Sequence, residues 1–164
     1  MSGKSRLLVG LVVAMFVFIS SPVLAEDHPV QLSLFNPVQL FPEDDTITGI
    51  RLNLIYGKNA SFTGIDWGMV NHTTQGKSLG YQQGMVGIAD ADFTGWQNNY
   101  FVNYVKGDFE GLQSGAFNYA NYAHGLQLGI INYSGSMKGV QLGFVNIIKQ
   151  GGQFPIFPFV NWSL

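Results

Sequence analysis

Cysteine is absent from the 164 residues. That excludes disulfide staples, thiolate metal sites and a cysteine nucleophile. Charge is scarce as well: 11% of residues are Asp, Glu, Lys or Arg, and no basic stripe exists to follow a phosphate backbone. Nucleic acid is therefore excluded as a partner. The three histidines, His28, His72 and His124, are too scattered to suggest the three or four convergent ligands of a metal site. The Gly-x-Ser-x-Gly spelling of Gly76 to Gly80 lacks the strand-to-helix context that a nucleophile elbow needs. Catalytic, metal-ligating and cofactor-binding residues are accordingly not assigned, and a non-enzymatic protein is expected. Helical periodicity is missing too, because apolar residues past position 25 alternate instead of recurring at i, i+3 and i+4.

One long apolar run is present, Leu7 to Ile19, preceded by Lys4 and Arg6 and followed by Val23-Leu24-Ala25. It falls short of the roughly 18 residues that a spanning helix needs. The flanking charges and the small residue at the break mark a signal peptide, residues 1–25, cut before Glu26. With no cysteine after the run, a lipoprotein anchor has no attachment point. Lys4 and Arg6 leave with it, so six basic residues face ten acids, a net charge of −4. An exported domain of this size without disulfides must be held by backbone pairing and packing. Its 21 glycines and 14% aromatics suit β-structure.

What is there is a repeat. Glycines 49, 64, 80, 95, 111, 125 and 139 open seven similar segments, spaced by 15, 16, 15, 16, 14 and 14 residues. Length changes are expected in the polar second half of each unit, as in turns. In the Gly125 unit one strand face carries Leu126, Leu128 and Ile130, and the other Gln127, Gly129 and Ile131. This predicts a strand of about eight residues and then a turn. Self-similarity at a fixed period is the mark of a repeat architecture.

Gln recurs at 82, 97, 113, 127 and 141, and Asn at 71, 103, 118, 132 and 146, where the strand ends. Gly68, Gly84, Gly115, Gly129 and Gly143 hold the position two residues after the Gln column, with Asn99 in the Gly95 unit. In a β-solenoid, equivalent residues stack about 4.8 Å apart and identical amides bond along the axis. In an antiparallel meander nothing requires the same amide at the same place. The expected fold is thus all-β, about seven strand-turn units of 14–16 residues, with a β-solenoid favoured. The alternative is an antiparallel meander or a small outer-membrane barrel, a structural element or narrow channel. The strand count and the alternating ending "FVNWSL" suit the barrel, whereas Gln83, Asn98 and Ser114 would sit on its lipid face.

Residues 26–48 and 153–164 carry Pro37, Pro42, Pro155 and Pro158 and are expected to cap the array at 49–152. The units at Gly111, Gly125 and Gly139, written G-[LV]-Q-x-G-x-[IVF]-N, together with the ending "FPIFPFVNWSL", resemble the bacterial surface-repeat proteins built from GLQ-G-VN units. The similarity covers roughly residues 49–164; Arg51, Asn53 and Asn99 depart from the motif. The resemblance implies the cell envelope (periplasm, outer membrane or surface) and brings no catalytic residues.

Two surfaces remain to be placed. Asp90, Asp92, Asp108 and Glu110 would face one another if turns stack, as calcium ligands or as turn acids accepting from backbone amides. Trp96, Tyr100 and Tyr104 stand among many aromatics, either packed inside or aligned as an exposed row for an envelope protein or polysaccharide. The expected function is a scaffold or adhesion surface of the envelope.

Overall fold

A computed structural model describes residues 26–164; the expected signal peptide lies outside them. Nine strands form one sheet in the order β2-β1-β3-β4-β5-β6-β7-β8-β9. They are β1 (Asp27–Phe35), β2 (Val38–Gln39), β3 (Thr46–Asn59), β4 (Ser61–Thr73), β5 (Ser78–Ala89), β6 (Phe93–Ser114), β7 (Phe117–Leu128), β8 (Ile131–Gln150) and β9 (Ile156–Ser163). Pairing from β1 through β3 to β8 is parallel throughout. The glycines that open each unit lie side by side, Gly49 on Gly64 on Gly80 on Gly95 and Gly111 on Gly125 on Gly139. Each unit is one coil of a β-solenoid. Parallel neighbours overturn the alternative of an antiparallel meander or barrel, which needs adjacent strands of opposite direction.

Strands are longer than the sequence suggests, 12 to 22 residues from β3 to β8. The polar half of each unit is not a free turn: its backbone also pairs with the coils above and below, as His72 with Ile88 and Tyr104 with Tyr119. Two units also lengthen in an unexpected place. The pairings Asn53/Tyr56 on Gly68/Val70 and Gly84/Val86 on Asn99/Val102 set three steps against two, so the extra residue lies at the corner before the Asn column.

Both ends are closed by reversing direction. β2 runs antiparallel to β1, and β9 runs antiparallel to β8 from Gly139↔Ser163 to Ile147↔Ile156. Residues 26–48 supply an additional parallel rung, since Val30, Gln31 and Leu32 stand on Ile50, Arg51 and Leu52. Prolines 37, 155 and 158 flank or interrupt these end strands, where a missing N–H costs least. A reversed, proline-bearing rung gives another chain no ready parallel edge to extend.

The interior has two halves. One is apolar: Ile47, Phe62, Phe93, Phe109, Ala123 and Met137 point in from one side and Ala89, Val105, Ala120 and Ile148 from the other. The Phe62 and Phe93 rings meet at 5.8 Å between centroids because Ser78, on the rung between them, is small. The other half is filled by amides. Gln82, Gln97, Gln113, Gln127 and Gln141 are fully buried, as are Asn71, Asn103, Asn118, Asn132 and Asn146.

From Gln97 onward, each glutamine of this column uses its Nε2 to donate to the glutamine Oε1 of the coil before it. The distances are 3.0 Å (Gln97 to Gln82), 2.9 Å (Gln113 to Gln97), 2.7 Å (Gln127 to Gln113) and 2.7 Å (Gln141 to Gln127). Such a one-way chain needs an acceptor at its start. Asp66 supplies it, taking 2.8 Å from Gln82 Nε2. Its charge is met by Arg51, which donates to both carboxylate oxygens at 2.7 and 2.6 Å and to the His72 carbonyl at 3.1 Å. A bidentate, desolvated pair of this kind is what permits two charges to be buried at all. At the far end Gln141 Oε1 is left without a hydrogen-bond partner, as the direction of the chain requires.

Asparagines form a second column, Asn103 to Asn118 at 2.7 Å, then Asn118 to Asn132 and Asn132 to Asn146 at 2.8 Å each. Units that depart from the motif keep the interior filled by exchange. Gly57 and Gly87 stand in the Asn column, and the side chains of Asn53 and Asn99, out of their usual column, fill the space there. Asn99 Nδ2 donates to Gln82 Oε1 at 3.1 Å and to Asn103 Oδ1 at 2.7 Å. Asn99→Gly is expected to destabilise the fold by about 2–3 kcal/mol, from the void and the lost bonds. Adding Gly87→Asn is expected to recover at least half of that in urea unfolding.

Candidate functional site

Sidedness follows from the amide columns. If the Gln position points inward, the residues on either side of it must point outward. Outward-facing columns therefore carry what a soluble fold usually hides. The first runs Val30, Ile50, Ile65, Tyr81, Trp96, Leu112, Leu126 and Val140; the second runs Leu32, Leu52, Trp67, Gln83, Asn98, Ser114, Leu128 and Leu142. The third holds Leu34, Leu54, Met69, Met85, Tyr100, Ala116, Ile130 and Phe144, with Leu54 67%, Tyr100 72% and Phe144 68% exposed. Across these three columns there is no charged side chain. The wall is apolar outside and amide-lined inside.

Three polar residues interrupt the second column, and they bond within the wall. Tyr81 Oη donates to Gln83 Oε1 at 2.6 Å, and Ser114 Oγ donates to Asn98 Oδ1 at 2.7 Å. Trp96 Nε1 donates to Ser114 Oγ at 3.1 Å, and Asn98 Nδ2 reaches Tyr81 Oη at 3.3 Å. At the amino-terminal end of the wall, Leu40 lies beside Leu32 of the second column, its backbone N–H donating to the Leu32 carbonyl at 2.9 Å. It helps form a trough of about 770 Å³ with Leu34, Leu54, Trp67, Met69 and Tyr100 in its lining.

The expected aromatic row divides here. Trp96 and Tyr100 belong to this wall, 44% and 72% exposed. Tyr104 lies beyond the next corner, in a separate column. Its ring stacks on Tyr119 at 4.6 Å, which stacks on Tyr133 at 5.1 Å. The corner after Asn99 turns the chain between the two groups. Sequence reasoning placed Trp96, Tyr100 and Tyr104 together and did not single out the aliphatic columns; the strict Leu-Gln alternation was the signal that held them.

Burial first, and then the neighbouring phenols Tyr104 and Tyr133, push the Tyr119 hydroxyl above its ordinary value of 10.0. A raised value in the folded state means that its stability contribution is complete below about pH 10 and is lost as pH climbs past it. Tyr119→Phe is expected to flatten the alkaline decline of the unfolding midpoint and to remove a late step from the phenolate absorbance titration.

Asp92, Asp108, Glu110 and His124 line one small pocket together with Lys77, while the other two histidines lie apart from it. His72 Nε2 pairs with Asp90 Oδ2 at 2.9 Å and its Nδ1 with Tyr56 Oη at 2.8 Å, while His28 stacks on Phe41 and meets Asp45. Asp92 Oδ1 accepts from the Asp108 backbone N–H at 2.8 Å. Among the described residues no group of three His, Asp or Glu side chains is arranged to hold a metal ion. No helix among them is long and apolar enough to cross a membrane. Comparison with protein-family models, with curated proteins and with solved structures finds no match for this chain.

Proposed function

We propose that this chain is a non-enzymatic, exported protein of the bacterial cell envelope, a rigid scaffold that offers one wall of its solenoid as an interaction surface. The observation that carries the reading is the uncharged apolar wall, three columns wide over eight parallel rungs. Isolated exposed apolar residues are ordinary, but a contiguous patch of this extent marks a contact surface. Support for export comes from residues 1–25, with their charged start, short apolar run and Val23-Leu24-Ala25. The resemblance to GLQ-G-VN surface-repeat proteins points to the same compartment. An array held by ladders and apolar packing needs no disulfide, in keeping with an exported chain that has no cysteine.

Two measurements test this. The chain expressed in a Gram-negative host is expected to appear in the envelope fraction with Glu26 as its first residue. Recovery in the cytosol with residues 1–25 intact would refute export. The folded chain at nanomolar concentration is expected to brighten an apolar dye such as bis-ANS. Tyr100→Glu with Phe144→Glu is expected to remove most of that signal. A folded chain that leaves the dye dark would refute the interaction wall.

A further inference from the structure

The wall's occupant can be argued from its own geometry, on the reading of the wall as an interaction surface. We infer that it is a second copy of this chain, packed wall to wall about a two-fold axis.

Four observations converge. First, size: eight rungs about 4.8 Å apart, and three alternate side chains about 6.6 Å apart, give a face of roughly 38 by 19 Å. That is about 700 Å² per copy and about 1,400 Å² for a pair, within the range of roughly 1,200–2,000 Å² that stable specific interfaces bury. Second, charge: the outward columns contain no Asp, Glu, Lys, Arg or His, so identical faces approach without repulsion. The net charge of −4 on residues 26–164 opposes an anionic lipid surface instead.

Third, the polar groups are prepared for dry contact. Gln83, Asn98, Ser114, Tyr81 and Trp96 bond one another at 2.6–3.3 Å, which lowers the desolvation cost of covering them. Fourth, the period: side-chain ridges on the wall recur at the rung spacing, and another copy presents the same spacing along its whole length. Two such sheets pack about 10 Å apart. With both ends reversed by β2 and β9, growth along the axis has no matching edge. The two-fold pair uses the same patch on both copies and closes on itself.

The full chain as delivered by an exporting host would be examined by sedimentation velocity from 0.1 to 100 μM. Dimer is expected at the upper end, with bis-ANS fluorescence per chain falling as dimer forms. Tyr100→Glu is expected to raise the dissociation constant at least tenfold with an unchanged far-ultraviolet spectrum. Phe144→Glu serves as a second variant, and Lys106→Glu, outside the wall, is expected to change nothing. A chain that brightens the dye at dilution yet stays monomeric at 100 μM would overturn the dimer and leave the interaction wall standing. Monomer that floats with phosphatidylcholine vesicles, or carries a co-purifying acyl lipid, would likewise overturn it. A chain that never brightens the dye would refute the wall itself.

Discussion

Arg51→Met is expected to lower the stability of the folded chain by about 3–5 kcal/mol, the usual cost of stranding one member of a buried ion pair. The carboxylate of Asp66 would keep its bonds from Asn53 at 3.0 Å and Gln82 at 2.8 Å but lose both guanidinium contacts and the opposing charge. Neither Arg51 nor Asp66 has any side-chain access to water, so solvent cannot replace the loss. Arg51 also lies 5.3 Å from the centre of the Phe62 ring, a contact that methionine's thioether replaces only in part. The double variant Arg51→Gln with Asp66→Gln tests whether the pair is a terminator of the ladder and not an independent prop. It extends the column through both early rungs with the residue found in the five later ones. Stability within about 1 kcal/mol of the parent is expected, because a matched neutral column avoids burying two charges. Urea midpoints of the three proteins decide it.

Gly125→Ala is expected to cost about 4 kcal/mol, or to leave the array unable to close its sixth and seventh repeat units. Gly125 has φ +136°, and the seven glycines that open the units share values between 128° and 148°. A side chain there is strained whatever its surroundings. The surroundings add to it: a Cβ on Gly125 would lie inside contact distance of the Gly111 carbonyl oxygen, a backbone atom fixed by its own rung. Strain and overpacking each contribute on the order of 1–3 kcal/mol. Gly76→Ala is the control. It shares a positive φ, +63°, but its nearest neighbours are Ser61 side-chain atoms at 3.7 and 3.8 Å. About 1 kcal/mol is expected there, the cost of the left-handed conformation alone. A similar loss in both variants would mean that the glycine column is not a line of close backbone approach.

The repeat and its ladders were legible because a stack multiplies one local choice. A glutamine that pays off on one rung pays off on each rung beside it, so Gln82, Gln97, Gln113, Gln127 and Gln141 recur. Sidedness was not legible, since alternation of Leu and Gln carries no sign. Ordinary burial preference puts leucine inside; the ladder reverses it by giving each column glutamine from Gln82 to Gln127 a partner on the next coil. The corners hid more. One extra residue after Asn53 and after Asn99 changes the step to the Asn column. In the second of these units the corner carries the chain from Tyr100 on one wall to Tyr104 on another. The Asn–Gly exchanges look like decay of the motif in a linear reading. In space each returns an amide to a column that lacked one. Proline at 37 and 42 masked the parallel rung of β1, whose partner lies on β3 rather than nearby in sequence.

Parallel stacking in phase is the claim on which the wall, the ladders and the dimer all depend. The absence of native cysteine permits its most direct test, two separate double-cysteine variants between the same two coils: His124→Cys with Lys138→Cys, and Leu128→Cys with Leu142→Cys. Both pairs are register partners between β7 and β8. Parallel neighbours about 4.8 Å apart fall within the Cα separations of about 4.4–6.8 Å that disulfides span. Rapid intramolecular closure of both pairs under mild oxidation is the expected result. Closure of one pair without the other is what strands of opposite direction would give, and it would contradict the account.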